Sequence, residues 1–198
     1  MARSKSSSAW LQRHVKDGFV RKAKEQGYRS RAAYKLLQID EKHRILKPGS
    51  AVLDLGSAPG SWSQVAARKV GPGGRVSAVD LVEMAPIPGV AFRRGDFRAL
   101  EHDSGVDAVL CDVSPNISGI PGVDQARCLE LALAATALSR RVLKPGGALL
   151  LKGFQGEAFG ELRRQLSAAF GDVKVVKPGA SRSESRETYL LARGPKAG

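Results

Sequence analysis

At 198 residues the chain is long enough for one well-buried domain and too short for two ordinary ones. Two cysteines, Cys111 and Cys128, and three scattered histidines, His14, His43 and His102, give no metal-ligand spacing and no disulfide framework, as expected in a reducing cytoplasm. No apolar run approaches the ~20 residues of a membrane span, no signal-peptide core is present, and the formal charge of +13 points to a polyanionic partner.

That charge is uneven. Residues 1–50 hold 13 Lys/Arg against 4 Asp/Glu, so +9 of the +13 lies in the first quarter. A basic front end on a near-balanced domain is the footprint of a nucleic-acid binder. Residues 1–28 are therefore expected to form a basic N-terminal extension and residues 29–198 a single catalytic domain. Within the extension, residues 1–9 read as disordered and Trp10–Gln26 as a helix ending near Gly27. The first residues lack acids, as organelle transit peptides do. A second helix is expected over Ser30–Ile39, with Ser30 as N-cap and Ala33, Leu36, Leu37 and Asp40 along one face.

Val52-Leu-Asp-Leu-Gly-Ser-Ala-Pro-Gly-Ser-Trp62 then gives a buried strand, a loop bounded by Gly56 and Gly60, and an amphipathic helix over Ser61–Lys69. The loop spacing is G-x-x-x-G, not the G-x-G-x-x-G that cradles a dinucleotide pyrophosphate. A ligand with a nucleoside but no phosphate suits it better, and S-adenosylmethionine is the common one. Taken alone, such a loop is also an ordinary strand-to-helix turn.

Further strands are expected at Arg75–Asp80, Val90–Arg94, Val106–Asp112, Ala148–Phe154, Val173–Lys177 and Thr188–Ala192, with helices at Asp124–Leu143 and Glu157–Phe170. The alternation predicts a mostly parallel seven-stranded sheet with helices on both faces. The last two strands are joined by a Ser/Arg-rich loop too short for a crossover, so they should pair antiparallel. This is an α/β, Rossmann-like architecture of the class I S-adenosylmethionine-dependent methyltransferase kind.

Three acids fall where strands end, which is where open α/β sheets place their ligand crevice. Asp80 closes the second strand, where a carboxylate can accept both ribose hydroxyls of an adenosine. Asp96, after the third strand, is positioned for the adenine amino group. Asp54, in the first strand, serves the loop or a ligand amino group. Asp112-Val-Ser-Pro-Asn116 follows the fourth strand and lacks the Pro-Pro-aromatic signature of amino methylation. Cys111 precedes the Asp on a buried strand and reads as a small core residue. A hydroxyl is then the expected target.

Lys152 sits in the otherwise apolar Leu149-Leu-Leu-Lys-Gly153. Burying Lys is costly unless it is paired or functional. Desolvation and a second cation can turn such an amine into a general base. Lys35 is the candidate second cation, with Asp112 holding the amine.

Ser6–Gln12, Ser30–Lys35, Asp54–Trp62, Gly95–Arg98, Asp112–Gly119, Phe154–Glu157 and Ser185–Tyr189 together resemble the FtsJ/RrmJ (RlmE) family of ribosomal RNA ribose 2′-O-methyltransferases, over about residues 6–193. Because the N-terminus belongs to the match, a transit peptide is not expected. The resemblance implies a catalytic set of Lys35, Asp112, Lys152 and Glu187, with Lys152 as base, and cofactor contacts from Gly60, Trp62, Asp80, Asp96 and Asp112. It further implies a uridine in the A loop of large-subunit rRNA as substrate, met within the assembling or complete 50S particle; separately, a cytoplasmic monomer without metal or membrane is expected. Ser61 stands where many members have Gly, and Ala33-Tyr34 where bacterial relatives often have Trp-Phe. Relatives that methylate tRNA anticodon loops or mRNA caps share these catalytic residues, and a catalytically silent RNA-binding assembly factor is the alternative of a different class.

Overall fold

The computed structural model describes residues 17–115, 118–182 and 185–196. Helix α1 is Gly18–Glu25 and α2 is Ala32–His43. The strands are β1 Ala51–Leu55, β2 Arg75–Asp80, β3 Val90–Arg94, β4 Val106–Cys111, β5 Leu143–Phe154, β6 Phe170–Val176 and β7 Glu187–Pro195. Helices α3 Ser61–Val70, α4 Pro121–Val142 and α5 Glu157–Ala169 complete the alternation.

The sheet order is β3-β2-β1-β4-β5-β7-β6. All pairs from β3 to β5 are parallel, and β7 runs antiparallel to both β5 and β6. The expected seven-stranded sheet is therefore present. Strand side chains alternate between faces, and each face has its own core. Leu53, Leu55, Val109, Cys111, Leu149, Leu151 and Leu190 pack toward α4 and α5. Val52, Leu110, Leu150, Tyr189 and Leu191 pack toward α2 and α3 with Trp62, Leu36 and Ile39. Strand β1, fully buried along its length, is covered on both sides, which is why its sequence is an unbroken apolar run except for Asp54.

Several boundaries differ from the sequence expectation. Helix α2 continues past Ile39 to His43 and ends where Arg44 takes a left-handed backbone, φ 49°. Buried Asp40 supports that end: its carboxylate accepts the Leu46 N–H at 2.8 Å and pairs with Lys69 at 3.1 Å. The first helix is expected from Trp10, and the part before Asp17 lies outside the described residues. Asp17 caps α1 by accepting the Phe19 N–H at 3.0 Å, an N-cap use of a short acid. Strand β5 begins at Leu143, which pairs with Val106 before a register irregularity.

The expected extension over residues 1–28 is, from Asp17 onward, part of the folded body. Ala23 is buried against Tyr34 and Ala180, with Phe19 and Tyr28 packed on the same cluster. Arg31 pairs with Asp17, and Gln64 donates to the Gly27 carbonyl at 3.0 Å. The charge of this segment is set on apolar anchors, which a count of Lys and Arg does not register. Among the described residues no helix is long and apolar enough to cross a membrane.

Candidate active site

The parallel register aligns the C-terminal ends of β1, β2, β4 and β5. Leu55 pairs with Val79 and Cys111, and Cys111 with Leu151, so Asp80, Asp112 and Lys152 all emerge at one edge. A crevice of about 420 Å3 lies there, lined by Gly56, Asp80, Asp96, Asp112 and Lys152 among others. Gly56 has φ +72°, and a Cβ on it would lie 2.6 Å from the Val113 side chain and 3.0 Å from its Cα. Only glycine lets the β1–α3 loop approach the β4 loop this closely.

Asp80 organises that loop. One carboxylate oxygen accepts the Ala58 N–H at 2.9 Å and the other the Val82 N–H at 2.8 Å. Asp54 is fully buried; it accepts the Ser63 hydroxyl at 2.6 Å on one oxygen and has no partner on the other. The Ser57 hydroxyl is also buried without a partner. Burial is the main force that pushes the Asp54 acid up to about 7, and the charges of Asp112 and Asp80 add to it. A crevice edged by the Asp80, Asp96 and Asp112 carboxylates, with the buried Asp54 acid behind it, fits a nucleoside ligand that carries positive charge.

Asp96 is already engaged. Arg98 grips its two oxygens through Nε at 3.0 and 3.1 Å and a terminal nitrogen at 2.7 Å, and reaches Glu130 of α4 at 2.9 Å. The hydrogen bonds from Arg98 hold the Asp96 acid below the usual carboxylate range against a smaller opposing effect of burial. Gly60 and Trp62 are not among the crevice's lining residues. A Cβ on Gly60 would meet Ile87, Arg29 and Met84 within 2.8 Å. The Trp62 indole N–H donates to the Ala32 carbonyl at 2.9 Å, and its ring stands 5.6 Å from that of Tyr189.

The four residues Lys35, Asp112, Lys152 and Glu187 are brought together as one chain of contacts. Lys152 is only 8% exposed; its Nζ donates to the Asp112 carbonyl at 2.6 Å and pairs with the Asp112 carboxylate at 3.1 Å. Lys35 pairs with Glu187 at 2.6 Å. Between the two pairs stands Tyr189, fully buried, with its hydroxyl 3.2 Å from Asp112 Oδ1 and 3.0 Å from Glu187 Oε1. The β5–β7 register explains this, because Lys152 pairs with Tyr189 and Phe154 with Glu187.

Burial raises the Glu187 acid, but the Lys35 charge and hydrogen bond, with Lys152 and Tyr189 behind them, bring it below its ordinary value. Burial, reinforced by the Asp112 and Glu187 charges, raises the Tyr189 phenol well above its ordinary value. The phenol therefore keeps its one proton, shared between two carboxylates. Glu187 is expected only from the family resemblance, since by itself it reads as an ordinary surface acid, and Tyr189 is not singled out at all. The available signal is a tyrosine within the apolar Tyr189-Leu-Leu-Ala192, since a buried phenol normally finds a hydrogen-bond partner. Cys111 is a core residue, as expected: burial pushes its thiol up to about 12.

The FtsJ-like methyltransferase family model matches residues 28–195. The chain is 50% identical over 200 residues to the ribosomal RNA large subunit methyltransferase E of Azoarcus sp., covering 96% of this chain and 98% of that protein. It is 51% identical over 203 residues to the protein of the same name from Pseudomonas aeruginosa, covering 98% of each. Among solved structures, one described as a ribosomal RNA methyltransferase of Plasmodium falciparum superposes with a TM-score of 0.75 at 29% identity, over 85% of this chain and 98% of that one. A fibrillarin of Aeropyrum pernix with natively bound S-adenosylmethionine shares the fold, with a TM-score of 0.57 at 21% identity over 81% of this chain and 73% of that one. The family model over residues 28–195 and the relatives about 50% identical over nearly the whole chain establish that the chain belongs to the FtsJ-like methyltransferase family.

Proposed function

We propose that this protein methylates large-subunit ribosomal RNA with S-adenosylmethionine, at the 2′-hydroxyl of a uridine ribose in the A loop, acting on the 50S particle and supporting its assembly. The names of the full-length relatives support the rRNA substrate. The observation that carries the reaction type is the Lys152 amine, enclosed by two oxygens of Asp112 at the end of an apolar strand and lining the crevice.

When bound, S-adenosylmethionine supplies an electrophilic methyl group on a sulfonium. In this reading Asp80, and Asp96 with the Arg98 that grips it, take its nucleoside in the crevice, while Gly60, Trp62 and the buried Asp54 act from behind the lining. The ribose hydroxyl must lose a proton as its oxygen forms the new bond to carbon and the sulfur–methyl bond breaks. A neutral Lys152 that donates to the Asp112 carbonyl and lies 3.1 Å from its carboxylate has a lone pair left to accept that proton. Asp112 orients the amine, while Lys35, Glu187 and Tyr189 fix Asp112 and the local charge. A hydroxyl is favoured over an exocyclic amine because the β4 loop reads Asp112-Val-Ser-Pro. The basic N-terminal quarter supplies cations for RNA phosphates. We read the protein as a cytoplasmic enzyme working as a monomer.

Mapping ribose methylation on rRNA tests this proposal. Cells lacking the gene should lose one 2′-O-methyl mark in the A loop, and the intact gene should restore it. An unaltered A loop, or a mark lost from tRNA alone, contradicts the substrate assignment.

A further inference from the structure

Lys152 lines two cavities. One is the crevice already described; the other, of about 200 Å3, lies between the β5 end and helices α4 and α5. The second cavity has a largely aliphatic wall, with Cys128 and Phe154 on it and Gln125, Gln155 and Arg186 at polar positions. Among the described residues these last three side chains make no hydrogen bond or ion pair. Gln125 is half-buried, whereas Gln155 and Arg186 are exposed and are brought together through their backbones. Gln125 lies against the Gly156 backbone, where an added Cβ would come within 3.0 Å of its side-chain oxygen. The Gln155 N–H donates to the Arg186 carbonyl at 2.8 Å. Phe154 presents its ring 5.8 Å from Lys152 Nζ.

We infer that this cavity receives the pyrimidine base of the nucleotide whose ribose is methylated, turned out of its stack. The inference rests on the proposed function and identifies its base-reading element. A nucleotide that offers its 2′-hydroxyl to Lys152 carries its base on the same ribose ring, so the base is the group that reaches a second cavity lined by Lys152. The two cations on the cavity wall, Lys152 and Arg186, are offset by the Asp124 carboxylate, and the rest of the lining is mostly apolar, which does not suit a phosphate that needs several cations or N–H groups. Such a lining suits a flat ring whose face is apolar and whose edge is polar. A cavity of about 200 Å3 has room for a flat nucleobase ring. Phe154 offers a stacking surface, and each glutamine amide offers an acceptor oxygen and a donor NH2 group for the N3–H and a carbonyl of uracil. RNA recognition commonly splays a base out in this way.

The test uses the full chain and large-subunit particles from cells lacking the gene. Gln125→Leu with Gln155→Leu keeps the volume and removes the amides. It should raise KM for the particle by about tenfold or more, reduce kcat less, leave the S-adenosylmethionine Kd unchanged, and narrow discrimination against a target-site cytidine. Cys128→Phe, which fills the cavity, should block transfer while cofactor binding persists; if that variant fails to fold, the double Leu variant decides. A double Leu variant with wild-type KM and discrimination overturns the base pocket. Wild-type enzyme that does not methylate the particle instead overturns the proposed function.

Discussion

Lys35 and Glu187 form an ion pair of 2.6 Å in which each side chain is 15% exposed, joining the second helix to the first residue of the last strand. Glu187 also receives the Tyr189 hydroxyl and, at 3.3 Å, that of Ser181. It is thus the hub of the polar cluster rather than a peripheral acid. Removing one partner leaves the other half-desolvated, while removing both restores balance. Lys35→Ala and Glu187→Ala should each lower kcat/KM, and the double variant should lose less than the two losses combined, by a coupling of about 0.5–3 kcal/mol. Strict additivity in that cycle contradicts the pairing.

The buried Asp54 makes a pH prediction. Its acid sits near 7 in the folded protein against about 4 in an unfolded chain, so between these values the native state holds more protons. Stability should therefore fall as pH rises from about 4 to about 7. Asp54→Asn cannot ionise and should flatten that slope, gaining stability over wild type at pH 8 but not at pH 4. Thermal melts of both proteins across this range check it, and parallel profiles contradict it.

Asp80 holds two backbone N–H groups of the β1–α3 and β2 loops and retains lone pairs for a ribose. Asp80→Ala should weaken S-adenosylmethionine binding about ten- to a hundredfold with the sheet intact. Asp80→Asn, which keeps one acceptor, should lose less. Titration calorimetry with unchanged dissociation constants would remove Asp80 from the site.

The packing of Phe19, Ala23 and Tyr28 on Tyr34 redraws where the chain tolerates truncation. Deleting residues 1–28 strips that cluster and should lower Tm measurably. Deleting only residues 1–16 removes Arg3, Lys5, Arg13 and Lys16, with no acid among them, and spares the cluster. The shorter deletion should weaken binding to the large subunit. It should also flatten the log–log salt dependence by roughly 0.7–0.9 for each phosphate that the deleted cations neutralise. Equal slopes for the full-length and shortened forms show that those four cations touch no phosphate.

The sheet was legible because its strands are apolar runs separated by Gly/Pro turns, and because strand-end Asp80, Asp112 and an out-of-place Lys152 mark one edge. What was not legible depends on residues distant in sequence. Tyr189 meets Asp112 across 77 positions; its apolar neighbours signal a phenol that needs a partner but do not say which. Arg98 occupying Asp96 needs the turn after β3 to fold back two residues, which strand periodicity does not encode. The anchoring of residues 17–28 was hidden by their charge, since Phe19 and Ala23 are sparse among Lys and Arg. The second cavity beside Lys152 is assembled from α4, β5 and α5, so no single segment carries its signature.

In the proposed reaction Lys152 takes the proton from the ribose hydroxyl. Single-turnover methyl transfer to large-subunit particles, run beside cofactor titration for wild type and Lys152→Ala, tests it most directly. Lys152→Ala should bind S-adenosylmethionine like wild type and show no transfer above background at any pH. Transfer by Lys152→Ala at the wild-type rate would contradict the account.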